Sequence, residues 1–173
     1  MMCTAVFDLG FICFGIWEKL IMMSDTNLIS ASPKVGKTTL LIEMISKWAR
    51  SEDEFLGHKF TGKCPKIILI GTDMPNARWL PLLHKFGLAE KLTDTGYKFL
   101  DPIIHYFSSD RPLHLDDQGL SKIADIVEKN PNCLLLLDSY SRCCPHGIDE
   151  KSNYFSQPLM DLMEVTSPHN VTN

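Results

Sequence analysis

The chain has 173 residues, and its 17 Lys and Arg against 21 Asp and Glu give a formal net charge of −4. Hydrophobic residues at 45% and charged residues at 22% suit one domain with a packed core, which excludes a disordered, collagen-like or coiled-coil chain. The acidic balance excludes a generally basic surface, so any nucleic-acid contact has to come from a local patch or an assembled oligomer.

Met1 to Asp25 is apolar and rich in Cys and Met, without clear turn signals beyond Gly10 and Gly15. It reads either as an extra strand or helix or, given Met22 and Met23, as a misassigned start, so the sequence divides into an extension over 1–25 and a domain over 26–173. The stretch carries no basic residue before Lys19 and is too short to cross a bilayer, which leaves the cytoplasm as the expected location and no membrane as a partner. The six cysteines then read as reduced thiols.

From Asn27 onward short apolar runs alternate with amphipathic stretches, the mark of βα units around a parallel sheet. Strands are expected at Asn27–Ser30, Lys66–Gly71, Ile103–Tyr106 and Cys133–Asp138, the last with the unbroken apolarity of a strand buried on both faces. Helices are expected at Thr38–Arg50, Asn76–Phe86 with Gly87 as its C-cap, Asp117–Lys129 and Tyr154–Val165. Ser51–Gly62 reads as a polar connection holding a small aromatic island, Phe55 and Phe60.

The strongest motif is Ala31-Ser32-Pro33-Lys34-Val35-Gly36-Lys37-Thr38, a phosphate-binding loop with Ala in place of the first Gly, set between an apolar strand and an amphipathic helix. Ser32, Pro33, Lys34, Val35, Gly36, Lys37, Thr38 and Thr39 are the candidate nucleotide-binding residues. Gly36 admits the backbone close to a phosphate, Lys37 reaches the β- and γ-phosphates, and Thr38 offers a hydroxyl to Mg²⁺. Asp138 closes the Leu134–Leu137 run at the C-terminal edge of the sheet, where a carboxylate can hold Mg²⁺ beside Thr38. Asp73 ends the Lys66–Gly71 strand at the same edge, where it can place the water that attacks the γ-phosphate or, alternatively, cap the next helix. Lys37 and Asp73 are thus the candidate catalytic residues, with ATP and Mg²⁺ as the expected ligands.

Five segments in this order resemble the RecA-like P-loop ATPases, in particular the branch of plasmid and phage hexameric replicative helicases. They are SPKVGKTTLL from Ser32, FLGHKFTG from Phe55, IILIGTDMP from Ile67, LLLLDSYSR from Leu134 and IDEKSN from Ile148. The resemblance implies an α/β fold of three layers, α/β/α, with a mostly parallel sheet, a homo-oligomeric ring, and a motor of DNA replication or recombination. It makes Asp138 the Walker B acid and sets Asp73 where the family usually has Glu, one methylene longer. It also places Arg142, His146 and Lys151, in the loop after Asp138, as candidate contacts to single-stranded DNA, with a solvated polar loop as the other reading. The family continues past its last helix into a further core strand. Ser167–Asn173 at most begins that strand, so the sheet is expected to be incomplete at its C-terminal side.

Two other functions stay open. One is a nucleotide-binding regulatory or remnant module without turnover, and the other a small-molecule P-loop kinase, although no Arg-rich lid accompanies the motif. Cys143-Cys144-Pro145-His146 lacks a second cluster at ligand spacing and is not read as a zinc site, and no histidine is assigned a catalytic role.

Overall fold

The computed structural model describes residues 15–18, 20–22, 25–27, 29, 34–94, 96–148, 151 and 153–172. Its elements in chain order are β1 (Gly15–Trp17), β2 (Ile21–Met22), α1 (Lys37–Ala49), β3 (Glu54–Phe55), β4 (His58–Lys59), β5 (Ile67–Gly71), α2 (Asn76–Lys85), β6 (Ala89–Lys91), β7 (Tyr97–Phe99), β8 (Ile103–Ser108), α3 (Asp117–Lys129), β9 (Leu134–Leu137), α4 (Tyr140–Cys143), α5 (Gln157–Thr166) and a closing 3₁₀ turn at Ser167–His169.

All five residues of β5 are buried, because the strand is the centre of a parallel sheet ordered β8-β5-β9 and has helices on both faces. Successive side chains of a strand point to opposite faces. Ile67 and Leu69 accordingly join the core built from Ile42, Ile45 and Trp48 of α1 and Trp79 and Leu83 of α2. Ile68 and Ile70 join Ile123 and Val127 of α3 and Leu162 of α5. The result is a three-layer α/β/α arrangement, and parallel pairing brings the C-terminal ends of β5 and β9, with Asp73 and Asp138 just beyond, to one edge of the sheet.

On the far side of β9 the chain returns. Leu135 N–H donates to Thr172 O at 2.7 Å and Thr172 N–H donates to Cys133 O at 3.1 Å, in parallel register. Val171 and Thr172 are buried there, and a single bridge, Leu134 to Thr172, joins them to the sheet. Of the strand expected at Asn27–Ser30, Leu28 and Ser30 lie outside the described residues, while Asn27 and Ile29 lie in no ladder. The reason at Asn27 is local. Its amide oxygen accepts from Met22 N–H at 2.8 Å and its amide nitrogen donates to Met22 O at 3.0 Å, closing a turn after β2.

β1 and β2 form an antiparallel pair within the segment whose nature the sequence leaves open. Trp17 is buried, stacks on Phe55 with ring centroids 5.6 Å apart, and donates its indole N–H to Phe55 O at 3.1 Å. The polar connection Ser51–Gly62 contains the β3-β4 hairpin, turned by Leu56 and Gly57 at φ 51° and 79°. A two-residue turn with positive φ at both positions matches the twist of a hairpin, and Leu is an unusual occupant of the first.

The helix expected from Tyr154 begins at Gln157 instead. Pro158 decides the start, since proline is tolerated in the first turn of a helix and not further in. α2 ends as expected. Gly87 takes φ 72°, and the bonds Gly87 N–H to His84 O and Leu88 N–H to Leu83 O, at 3.0 and 2.8 Å, complete a Schellman cap.

α2 is pinned to β5 by Trp79, which is fully buried and donates its indole N–H to Gly71 O at 2.7 Å. A Cβ at Gly71 would stand 2.4 Å from the indole ring. Gly71→Ala is therefore expected to destabilise the fold by about 2 kcal/mol, the usual scale of overpacking, read as a lower urea midpoint with unchanged slope.

Candidate nucleotide site

The phosphate-loop signal depends on what the chain does before α1. Lys34 and Gly36 adopt φ of 65° and 95°, and such left-handed positions turn successive N–H groups toward one concavity. For Gly36 the conformation itself calls for glycine, because a Cβ there would meet nothing within 4 Å. α1 then starts at Lys37 with no side-chain cap and no acidic residue in its first turn. Its leading N–H groups and positive dipole end are suited to an anion. Lys34, Val35 and Thr39 are exposed and Lys37 and Thr38 half-buried, while Ser32 and Pro33 lie outside the described residues.

Thr38 and Asp138 meet directly. Thr38 Oγ1 donates to Asp138 Oδ2 at 2.5 Å, joining the first turn of α1 to the end of β9 across a hundred residues of sequence. Burial raises the Asp138 carboxyl above the ordinary range, as does the charge of Asp73, while the Thr38 hydrogen bond and the Lys37 ammonium act in the opposite direction. A desolvated carboxylate beside a hydroxyl is an incompletely neutralised site.

Asp73 comes to the same edge, its N–H donating to Asp138 O at 3.2 Å. Its carboxylate is half-exposed and lies 3.7 Å from Arg142 Nε. Arg142 sits on α4, a single turn that the sequence does not announce. That turn is held by Leu115 N–H donating to Cys143 O at 2.7 Å and by the buried contact of Thr72 Oγ1 with Cys143 Sγ at 3.2 Å. Burial pushes the Cys143 thiol up to about 11, so it stays protonated and unreactive at neutral pH. The structure thus brings Lys37, Thr38, Asp73, Asp138 and Arg142 to one edge. Lys151 stands exposed in the turn ahead of α5, and His146 is exposed with its ring 5.3 Å from that of His114.

A family model described as an AAA domain matches residues 15–166, from the start of β1 to the end of α5. The chain belongs to the AAA domain family. No curated protein and no solved structure matches it significantly. As an AAA domain it is of the P-loop ATPase kind, and nucleotide binding, usually with Mg²⁺, goes with the family.

The residues fit that ion. Among the described residues no three His, Cys, Asp or Glu gather into a metal cage. Mg²⁺ needs none, since it is typically held by one or two protein oxygens together with substrate phosphates and water. Thr38 Oγ1 and Asp138 Oδ2 supply two hard oxygens side by side at the helix end that suits phosphate. Among the described residues, no helix of the AAA domain is long and apolar enough to cross a membrane.

Proposed function

We propose that this AAA domain binds and hydrolyses ATP with Mg²⁺ as the motor, or part of the motor, of a DNA replication or recombination helicase working in the cytoplasm as a homo-oligomeric ring. The observation that carries the reading is the Thr38–Asp138 pair, set beside Lys37 and one strand away from Asp73. Ser32 to Thr39 wrap the phosphates, Lys37 offsets charge growing on the transferred group, and Thr38 and Asp138 hold the ion. Held by Thr38 and Asp138, Mg²⁺ would supply charge neutralisation at the phosphates. Asp73 orients the water for in-line attack, with Arg142 and Lys151 offering cations to single-stranded DNA beyond it.

Binding of a fluorescent ATP analogue with Mg²⁺ tests the nucleotide site. Lys37→Ala removes one charge-assisted contact, of about 2 kcal/mol, and is expected to weaken binding about thirtyfold with an unchanged circular dichroism spectrum. Equal binding by the two folded proteins would refute the site. Stimulation of turnover by an oligodeoxythymidine strand tests the helicase reading.

A nucleotide-binding module without turnover is the second reading, favoured by the short side chain of Asp73. A carboxylate set back by about 1 Å can cost on the order of a hundredfold in rate. Tight ATP binding without phosphate release identifies that case.

A further inference from the structure

Thr72-Asp73 at the end of β5 and Arg142-Cys143 on α4 face each other as two neighbouring contacts. The inner one is buried: Thr72 and Cys143 are 7% and 0% exposed and touch at 3.2 Å. The outer one, Arg142 Nε to Asp73 Oδ1 at 3.7 Å, lies at the rim with side chains 72% and 51% exposed. The inner contact fixes the spacing of the outer, because the backbone of α4 cannot drift from β5 while Cys143 is seated. Ser139 O strengthens that seat by accepting from Arg142 N–H at 3.1 Å and Cys143 N–H at 3.3 Å, and Leu115 N–H holds Cys143 O at 2.7 Å.

An exposed pair of this length contributes little to folding stability. Its effect is directional. Asp73 is a short side chain on a surface turn, and a half-exposed carboxylate samples several orientations unless a neighbour selects one. The neighbouring carboxylate, Asp138, repels it, while Arg142, carried on a seated turn, offers a cation 3.7 Å away.

We propose that Arg142 is a positioning residue for ATP hydrolysis, holding the Asp73 carboxylate in the orientation from which it addresses the attacking water. The inference rests on the reading of Asp73 as the water-orienting group. Arg142 acts through Asp73 and touches neither the nucleotide nor the water. Loss of the guanidinium leaves phosphate binding intact, because Lys37, Thr38 and the start of α1 do not depend on it. It removes order only at the step where Asp73 is used.

Steady-state ATP hydrolysis by the full chain decides the matter, comparing wild type, Arg142→Ala, Arg142→Gln, Arg142→Lys, Asp73→Asn and the double variant Asp73→Asn/Arg142→Ala. Arg142→Ala and Arg142→Gln are expected to lower kcat about tenfold or more with KM within about twofold, since misplacement near 1 Å carries a cost on that scale. Arg142→Lys keeps the charge and loses the planar fork, so it recovers most of the rate. In the Asp73→Asn background Arg142→Ala adds no further loss, as expected of residues acting as one unit. A normal kcat in Arg142→Ala with turnover lost in Asp73→Asn overturns the proposal and leaves the role of Asp73 standing. Additive losses in the double variant also overturn it. Wild-type turnover in Asp73→Asn overturns the role of Asp73, and binding without turnover in the wild type removes the reaction itself, so the proposal fails in both cases.

Discussion

Asp138→Asn is expected to lower kcat/KM for Mg²⁺-dependent ATP hydrolysis about a thousandfold while leaving the domain as stable as the wild type or slightly more so. The two halves of that expectation come from the same feature. Asp138 is the carboxylate that pairs with Thr38 Oγ1 at 2.5 Å, and under the proposed function it is the charged oxygen that would hold Mg²⁺. A metal ligand of this kind supports several kcal/mol of transition-state stabilisation, and a thousandfold corresponds to about 4 kcal/mol. In the absence of nucleotide the same charge is a burden, because burial raises the carboxyl above its ordinary value. A carboxyl whose folded-state pKa is raised contributes stability that is fully present below its unfolded pKa and lost as pH rises through the folded value. The wild type loses that contribution as pH rises and the carboxyl ionises. Asn has a similar shape, carries no charge, and keeps an oxygen to accept the Thr38 hydrogen bond. Melting temperatures of the two proteins without nucleotide are therefore expected to lie closest at acid pH, with the variant equal or ahead at neutral pH. Added MgATP raises the melting temperature of the wild type more than that of the variant. A variant that melts well below the wild type at neutral pH would mean that the ionised carboxylate itself holds β9 to α1.

Parts of the fold are legible in the sequence for a clear physical reason. Ile67–Gly71 and Leu134–Leu137 lack polar side chains because both faces of the sheet are covered, so the pattern that marks a doubly buried strand survives in the residues themselves. α3 is legible from apolar residues at helical spacing over Asp117–Lys129, and the structure adds its N-cap, Asp116, whose Oδ1 accepts from Gly119 N–H at 2.9 Å. The hairpins β3-β4 and β6-β7 have strands of two and three residues, too short to establish a period, and they form against side chains outside the hairpins: Trp17 stacks on Phe55 of β3, and His84 and Tyr106 pack on Tyr97 and Phe99 of β7. In the candidate site, Lys37 and Thr38 belong to a local motif, and Asp73 and Asp138 are found by asking which acids end buried strands. Arg142 is different. Its position opposite Asp73 follows from the turn of α4 and from the seat of Cys143 against Thr72, which no spacing along the chain expresses. The sequence places Arg142 in the loop after Asp138 as a candidate DNA contact, but it does not express the approach of its Nε to within 3.7 Å of Asp73.

Gly119→Ala is expected to cost about 3 kcal/mol, against the direction that helix propensity alone would give. Within a helix Ala is favoured over Gly by about 1 kcal/mol, so an exposed position would gain from the change. Gly119 is buried in the first turn of α3, and a Cβ there would stand 1.7 Å from His114 O and 2.9 Å from His114 C. Both are backbone atoms, so no rotamer relieves the overlap, and the loop over the start of α3 has to move. That loop is anchored in two places. Asp116 caps the helix through the N–H of Gly119 itself, and Leu115, 1% exposed, donates its N–H to Cys143 O. Moving His114 outward loosens both anchors, which adds the loss of a cap, about 1 kcal/mol, to the overpacking term. The urea midpoint is the direct measurement, with an unchanged slope marking a loss of stability rather than of cooperativity. Because Leu115 is one of the restraints on α4, the same substitution is expected to lower kcat for ATP hydrolysis even at temperatures where the protein remains folded, with ATP binding retained. A folded Gly119→Ala variant with full turnover would mean that Thr72 and Cys143 hold α4 without help from the α3 loop.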